Sequence, residues 1–234
     1  LESFDRYWKG APPIRRAVFK MVTDPTARVA EILSGGSDIT AEVPVEEFTR
    51  LSGQAGLKAV RNPIADMAEL FVSPRFDPFR KEEVRLAVHH AIDKKTIVEK
   101  VLLGFGNPTS TTEGPLYDAY DPTFTFAYDP QKARQLLQKA GYSTTNPLRL
   151  GVMTTRGVRA KDFEVVSAIA QMWKDVGIEA DLEVITIPQW FQYRSNRTGQ
   201  GKGIAPLSLY FWSNATGDPI NSVVFLANKL SDYG

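Results

Sequence analysis

No cysteine occurs in the chain, which removes disulfides, thiolate metal sites and a cysteine nucleophile together. Compartment stays open, because a disulfide-free protein tolerates any redox poise. An excess of one charge is also missing. The 28 Lys and Arg balance 27 Asp and Glu for a net charge of +1, so no broad basic surface exists for a phosphate backbone and nucleic acid is not an expected partner. Long apolar runs are absent as well, each being broken by Lys or Arg well short of the ~20 residues a membrane-spanning helix needs. Histidine is scarce: His89 and His90 are the only two. As neighbours on a helix they project about 100° apart and cannot serve one metal or one base from the same face, so both read as structural.

The sequence signatures of catalysis are missing too. There is no Gly-x-Ser-x-Gly elbow, Walker loop or His-Glu-x-x-His pattern. GFGN at 104–107 reads as a helix stop and GQGKG at 199–203 as a turn. Glu82 and Glu83 lie on a polar helix face, and the sequons at Asn196 and Asn214 occur at chance frequency. No catalytic residue, metal or cofactor is expected. The chain begins without Met and without a charged-then-apolar leader, which reads as an excised piece or mature fragment with any export signal outside it.

What is present is an ordinary globular composition, 43% apolar and 24% charged, with strand-like and helix-like segments in alternation, the pattern of an α/β chain. The expected strands are 17–22 (AVFKMV), a short one at 38–40, 58–62, 67–72, 148–154, 178–187 and 206–212. The expected helices are 26–36, stopped by Gly35-Gly36, and a short one at 43–53. Two more follow in 81–106, meeting near Ile92-Asp93, with Asp93 as cap and Gly104 as end. Tyr128–Tyr142 carries Asp129 as cap, Pro130 in the first turn and Gly141 as stop. Arg159–Val176 turns Phe163, Val166, Ile169, Ala170 and Trp173 inward, and 188–197 is short. The prolines of PRFDPF (74–79) make it the best boundary in the chain, and 105–128 is a long irregular stretch.

The stretch SLYFWSNATGDP at 208–219 places Tyr210, Phe211 and Trp212 at a strand exit and follows them with turn chemistry. Such a cluster is either a core strand end or the wall of a cleft, and the crevice at strand ends of open α/β sheets is where ligands collect. Arg156 follows another strand exit, while Arg194 and Arg197 end the short helix before the aromatic strand. Guanidinium forks beside an aromatic wall suit a carboxylate on a small ligand; singly, each reads equally as a solvated surface arginine.

The order of segments resembles a known family. YWKGAPPIRRAVFKMVTDPTARVAEILSGGSDI, FDPFRKEEVRLAVHHAIDKKTIVEKVLLGFGNP, YDPQKARQLLQKAGY, WKDVGIEADLEV and FWSNATGDP are together similar to the extracellular solute-binding proteins of peptide-, nickel- and opine-type ABC importers. The resemblance implies a periplasmic-binding-protein type II-like fold in which two lobes close on a solute, and a chain about half the family's length. Residues 1–77 would belong to the discontinuous first lobe and 78–234 to most of the second, with SPRFDPF as the hinge-side crossing. It implies no chemistry, a small-molecule solute and an ABC permease as partners, and a periplasmic or extracellular location with membrane association through the transporter or a lipid anchor. The family pattern Trp-x-x-Asp-x-x-Asp-Pro places an acid for a peptide's amino group where this chain has Ala215, while Asp218-Pro219 matches its end. A buried ammonium without a carboxylate is costly, so the expected ligand is not a free-amine peptide. An apolar or aromatic molecule, with or without an acid, or a sugar stacked on Trp212, fits better, with Tyr210, Trp212, Asn214 and Ala215 on the wall and Arg156 or Arg197 supplying charge. The alternatives are a ligand sensor or peptide chaperone of the same fold, and a hydrolase.

Overall fold

The computed structural model describes residues 1–72, 74, 77–195, 207–213 and 218. The chain divides into two units, Leu1–Lys58 and Ala59–Gly234.

In the first unit the helix α1 (Pro25–Leu33) starts where Asp24 accepts from the Ala27 amide with Pro25 in the first turn, and Gly35 takes φ 72° just beyond its end. A turn of 3-10 helix at Val45–Glu47 leads into α2 (Phe48–Ser52). Polar contacts hold the rest: Arg28 donates to the carbonyls of Val22, Thr23 and Glu42, and Lys20 bonds Glu31 and the Gly36 carbonyl. The expected strand 17–22 is not formed. Only a Glu2–Arg16 bridge lies beside it, and Val18, Phe19 and Met21 are exposed, because an extended segment becomes a strand only when a second one pairs with it. The short strand at 38–40 is not formed either.

The second unit is built on a four-stranded sheet of order β1-β4-β2-β3. Its strands are β1 (Asp66–Val72), β2 (Leu148–Thr154), β3 (Ile178–Val184) and β4 (Leu207–Ser213). The expected strand 58–62 is absent; Arg61 instead donates to the Gly104 carbonyl and lies over the Phe105 ring. Four helical segments follow β1. They are α3 (Glu82–His90), α4 (Lys94–Thr96, running into a wider π turn over Ile97–Val101), α5 (Pro130–Lys139) and α6 (Asp162–Lys174). The short helix α7 (Ile187–Ser195) precedes β4. The caps follow their local signals: Asp93 accepts from the Thr96 amide, Asp129 from the Lys132 amide, and Gly104 and Gly141 take positive φ.

Strand parity divides the sheet into two faces. Leu70, Val72, Leu209, Leu148, Leu150 and Val152 face a core completed by Phe79, Val84, Val88, Leu137, Val166, Ile169 and Trp173. Trp173 is fully buried, and its indole N–H donates to the Val88 carbonyl at 3.1 Å, joining α6 to α3. The expected inward face of α6 omitted Val165, which is buried, and included Ala170, which is half-buried. β2, α6 and β3 form a βαβ unit in which Gly177 makes the return. Its φ is +99°, and an added Cβ would sit 2.9 Å from the Ser143 carbonyl carbon.

Gly177→Ala is therefore expected to lower unfolding free energy by about 1–3 kcal/mol, measured by urea denaturation. Gly151→Ala, which meets nothing within 4 Å, is expected to change it by less than about 0.5 kcal/mol.

Candidate functional site

Because β4 runs parallel to β2 and antiparallel to β1, one edge of the sheet gathers the ends of β2 and β4 and the start of β1. Asp66 lies opposite Ser213 in the ladder. Beyond the last residue of β2 the chain turns through 155–161 into α6, and this turn is organised by a single buried carboxylate. Asp162 accepts from the Thr155 hydroxyl at 2.8 Å and from the amides of Gly157, Val158, Arg159 and Phe163 at 2.8, 3.0, 3.3 and 2.9 Å. A fully buried carboxylate is stable only with such a set of donors. The turn thereby presents two arginines. Arg159 Nε donates to Asp66 Oδ2 at 2.6 Å, tying the turn to β1, and the exposed Arg156 lies with its guanidinium 3.7 Å from the centre of the Phe163 ring.

Of the residues expected from sequence, Arg156 is thus at the strand-end edge. Tyr210 and Trp212 are residues of β4, opposite Glu69 and Met67 in the ladder, and the description of both ends with backbone and register. Arg197, Asn214 and Ala215 lie outside the described residues, and Arg194 is described by its place in α7 alone. Residues the sequence reading missed are Arg159 and Asp66, whose pairing joins positions 93 apart in the chain, and Asp162, whose visible signal was an acid in the first turn of a helix.

The second face of the sheet carries Met67, Glu69 and Phe71 together with the register positions of Ser208, Tyr210 and Trp212. Trp190 of α7 meets Phe71 there with ring centres 6.3 Å apart. Part of the irregular stretch 105–128 lies over β1: Tyr117 Oη donates to the Ala65 carbonyl at 3.1 Å, and Gly114 lies against the Met67 thioether. Glu113, nearly fully buried, stands close enough to Glu69 to act on its charge.

The histidines hold the end of the same stretch. His90 Nδ1 lies 2.8 Å from the Ala127 carbonyl, an acceptor that assigns the proton to Nδ1. His89 stacks on Phe126 at 4.7 Å. Burial, then the nearby Lys94 and His90, push His89 down to about 4, while burial lowers Lys94, which donates to the Ser110 hydroxyl. Both histidines are packing groups. Among the described residues no three His, Cys, Asp or Glu side chains gather in a way that could hold a metal ion, and no helix is long and apolar enough to cross a membrane.

A family model described as bacterial extracellular solute-binding proteins, family 5 Middle, matches residues 1–233. Heme-binding protein A of Haemophilus influenzae is 26% identical over 219 residues, which cover 93% of this chain and 39% of that protein. Di/tripeptide-binding protein 1 of Pseudomonas aeruginosa is 28% identical over 218 residues, 92% of this chain and 40% of that protein. Among solved structures, the oligopeptide-binding protein AppA of Bacillus subtilis, in complex with a nonapeptide, matches with a TM-score of 0.78 at 21% identity, over 99% of this chain and 47% of that one. This likeness establishes the fold expected from sequence, that of the two-lobed type II binding proteins. The chain spans about two fifths of the length of these curated relatives.

Two outcomes follow from the site's electrostatics. Asp162→Ala strands five donors and is expected to cost about 3 kcal/mol or more, whereas Arg159→Ala, which breaks a partly exposed pair, is expected to cost about 1 kcal/mol; thermal unfolding distinguishes them. Above pH 6.5 His89 is neutral in both folded and unfolded chains and contributes no pH dependence. As pH falls from 6.5 toward about 4 the unfolded chain binds a proton that the folded one does not, so stability is lost across that window. His89→Gln is expected to flatten that part of the stability profile.

Proposed function

Because this chain belongs to the family 5 bacterial extracellular solute-binding proteins, we propose that it is part of the substrate-binding component of an ABC importer, a non-catalytic protein that captures a solute between two lobes outside the cytoplasmic membrane and hands it to a permease. The relatives are named for what they bind, heme in one case and di- and tripeptides in another, and none of these ligands is carried over by name. The observation that carries the reading is the sheet edge at which the ends of β2 and β4 meet the Asp162-centred turn with Arg156 and Arg159 on it. Strand ends in an open α/β sheet are where such folds bind ligand.

In this reading Leu1–Lys58 belongs to the discontinuous first lobe, and the second lobe begins before β1 rather than after residue 77, because the ladder with β4 puts β1 in the same sheet as β2 and β3. Supporting it, the unit Leu1–Lys58 buries only Val29 and Leu51 among its hydrophobic residues and leaves Phe19, Met21 and Ile39 exposed, too little core for a segment that stands alone. Tyr210, Trp212 and Asn214 form the wall of the site. Arg156 and Arg197 meet an acidic group, with the Arg156 guanidinium 3.7 Å from the centre of the Phe163 ring. Ala215 stands where peptide-binding members carry an acid, so the ligand is a solute without a free amine, apolar or aromatic and carrying an acid, or a sugar.

Thermal shift and calorimetry on the complete protein test this, since a ligand bound only by the folded state raises the melting temperature. The panel contains free-amine di- and tripeptides, heme, aromatic carboxylates and sugars. Stabilisation by an aromatic acid or a sugar, with Trp212→Ala weakening it by about tenfold or more, is the expected result. Tight binding of free-amine peptides overturns the ligand class, and turnover of any member of the panel overturns the transport role.

A further inference from the structure

We propose that Arg159 is a positioning residue: its bond to Asp66 fixes where the 155–161 turn stands against the start of β1, and so where Arg156 meets an acidic group on the solute. This rests on the reading of the strand-end edge as the ligand site. The turn is first a body of its own. Gly157 and Lys161 take φ of 75° and 58°, left-handed positions that fold the chain back on itself. The two oxygens of Asp162 then collect the Thr155 hydroxyl and the amides of Gly157, Val158 and Arg159. Residues 155–159 are thereby held on one carboxylate, so a displacement of Arg159 is carried to Arg156.

Each of those bonds lies within the turn and the first residue of α6, and none of them places the turn against a neighbouring strand. Arg159 supplies such a tie. Its Nε donates to Asp66 Oδ2 at 2.6 Å, while Nη1 of the same guanidinium donates to the Val158 carbonyl at 3.1 Å. One rigid plane thus grips its own turn and the first residue of β1, 93 positions away. The Asp66 side chain is 17% exposed and that of Arg159 38%, so the carboxylate end is shielded from water and the bond is firmer than a solvated surface pair. Asp66 is also the ladder partner of Ser213, the last residue of β4. The turn is thereby indexed to the end of the strand that carries Trp212.

Arg156 depends on that placement. Its guanidinium lies 3.7 Å from the centre of the Phe163 ring, and the Phe163 amide is itself bonded to Asp162. A cation above a ring is attracted over a broad range of positions, so the ring alone does not fix where the N–H groups point. A paired bond to a carboxylate needs them fixed, and that requires the backbone from which the side chain springs to be fixed as well. Removing Arg159 therefore weakens recognition of an acid while leaving apolar contacts with the same ligand intact.

The test uses the complete protein and two readouts. Nitrogen-15 NMR follows the Nε–H resonance of Arg156, which lies in the ring current of Phe163 and reports its place without any ligand. Calorimetry compares phenylacetate with phenylacetamide, an acid and its neutral counterpart. Arg159→Ala and Asp66→Ala are each expected to shift the Arg156 resonance, and the double variant to shift it no further than either alone. Each is expected to weaken phenylacetate by roughly three- to tenfold and phenylacetamide by less than about twofold. Arg134→Ala, which removes an exposed bond from α5 to the Asp175 carbonyl, is expected to leave the resonance where it is. An unmoved Arg156 resonance, additive shifts in the double variant, or equal weakening of both probes overturns the positioning role. If neither probe binds, or Arg156→Ala leaves phenylacetate binding unchanged, the ligand class proposed above fails, and the resonance still decides whether Arg159 positions Arg156.

Discussion

The antiparallel ladder between β1 and β4 is the constraint on which the rest of the second unit depends. It pairs seven residues of each strand, from Asp66 with Ser213 to Val72 with Leu207, and side-chain alternation then decides which residues share a face. A slip of one residue would exchange Leu70, Val72 and Leu209, which close the helical core, for Glu69 and Phe71. The core thus sets the register, and the register assigns Tyr210 and Trp212 to the opposite face. Insertion of β4 between β1 and β2 also brings the start of one strand and the ends of two others to a single edge, where the Asp162 turn stands.

Two buried carboxyl environments in this unit show opposite solutions to the same physical problem. Asp162 is surrounded by donors, four of them backbone amides, three in its own turn and one at the start of α6, so it stabilises a rigid loop. Glu69 has a buried oxygen without a donor among the described residues, and burial first, with the Glu113 charge second, pushes it up to about 8. The first arrangement suits a platform that keeps Arg156 and Arg159 in place. The second favours the neutral carboxyl, on the face where the proposed ligand wall begins.

The first unit makes a different point. Its helix and turns are well capped, yet its apolar residues are largely exposed and its extended segment 17–22 has no ladder. Local geometry can be satisfied by Asp24 and Arg28 within a short span, but burial of Phe19 or Met21 needs a surface that only other elements supply. This is consistent with a chain that covers about two fifths of its curated relatives.

Helix ends and strand alternation were legible in the sequence. Asp93, Asp129, Gly104 and Gly141 are where caps and stops were expected, and β2 and α6 are where periodicity placed them, because each of these signals acts within about one turn of the chain. The strand at 17–22 was misread for the complementary reason: its residues favour extension, but pairing is a property of two segments. The aromatic strand and the place of Arg156 just beyond the end of β2 were also legible in local pattern. What only the tertiary structure decided was the order of the strands and the Arg159–Asp66 bond. These join residues far apart in the chain, and no short-range preference encodes which distant group will stand beside a given charge.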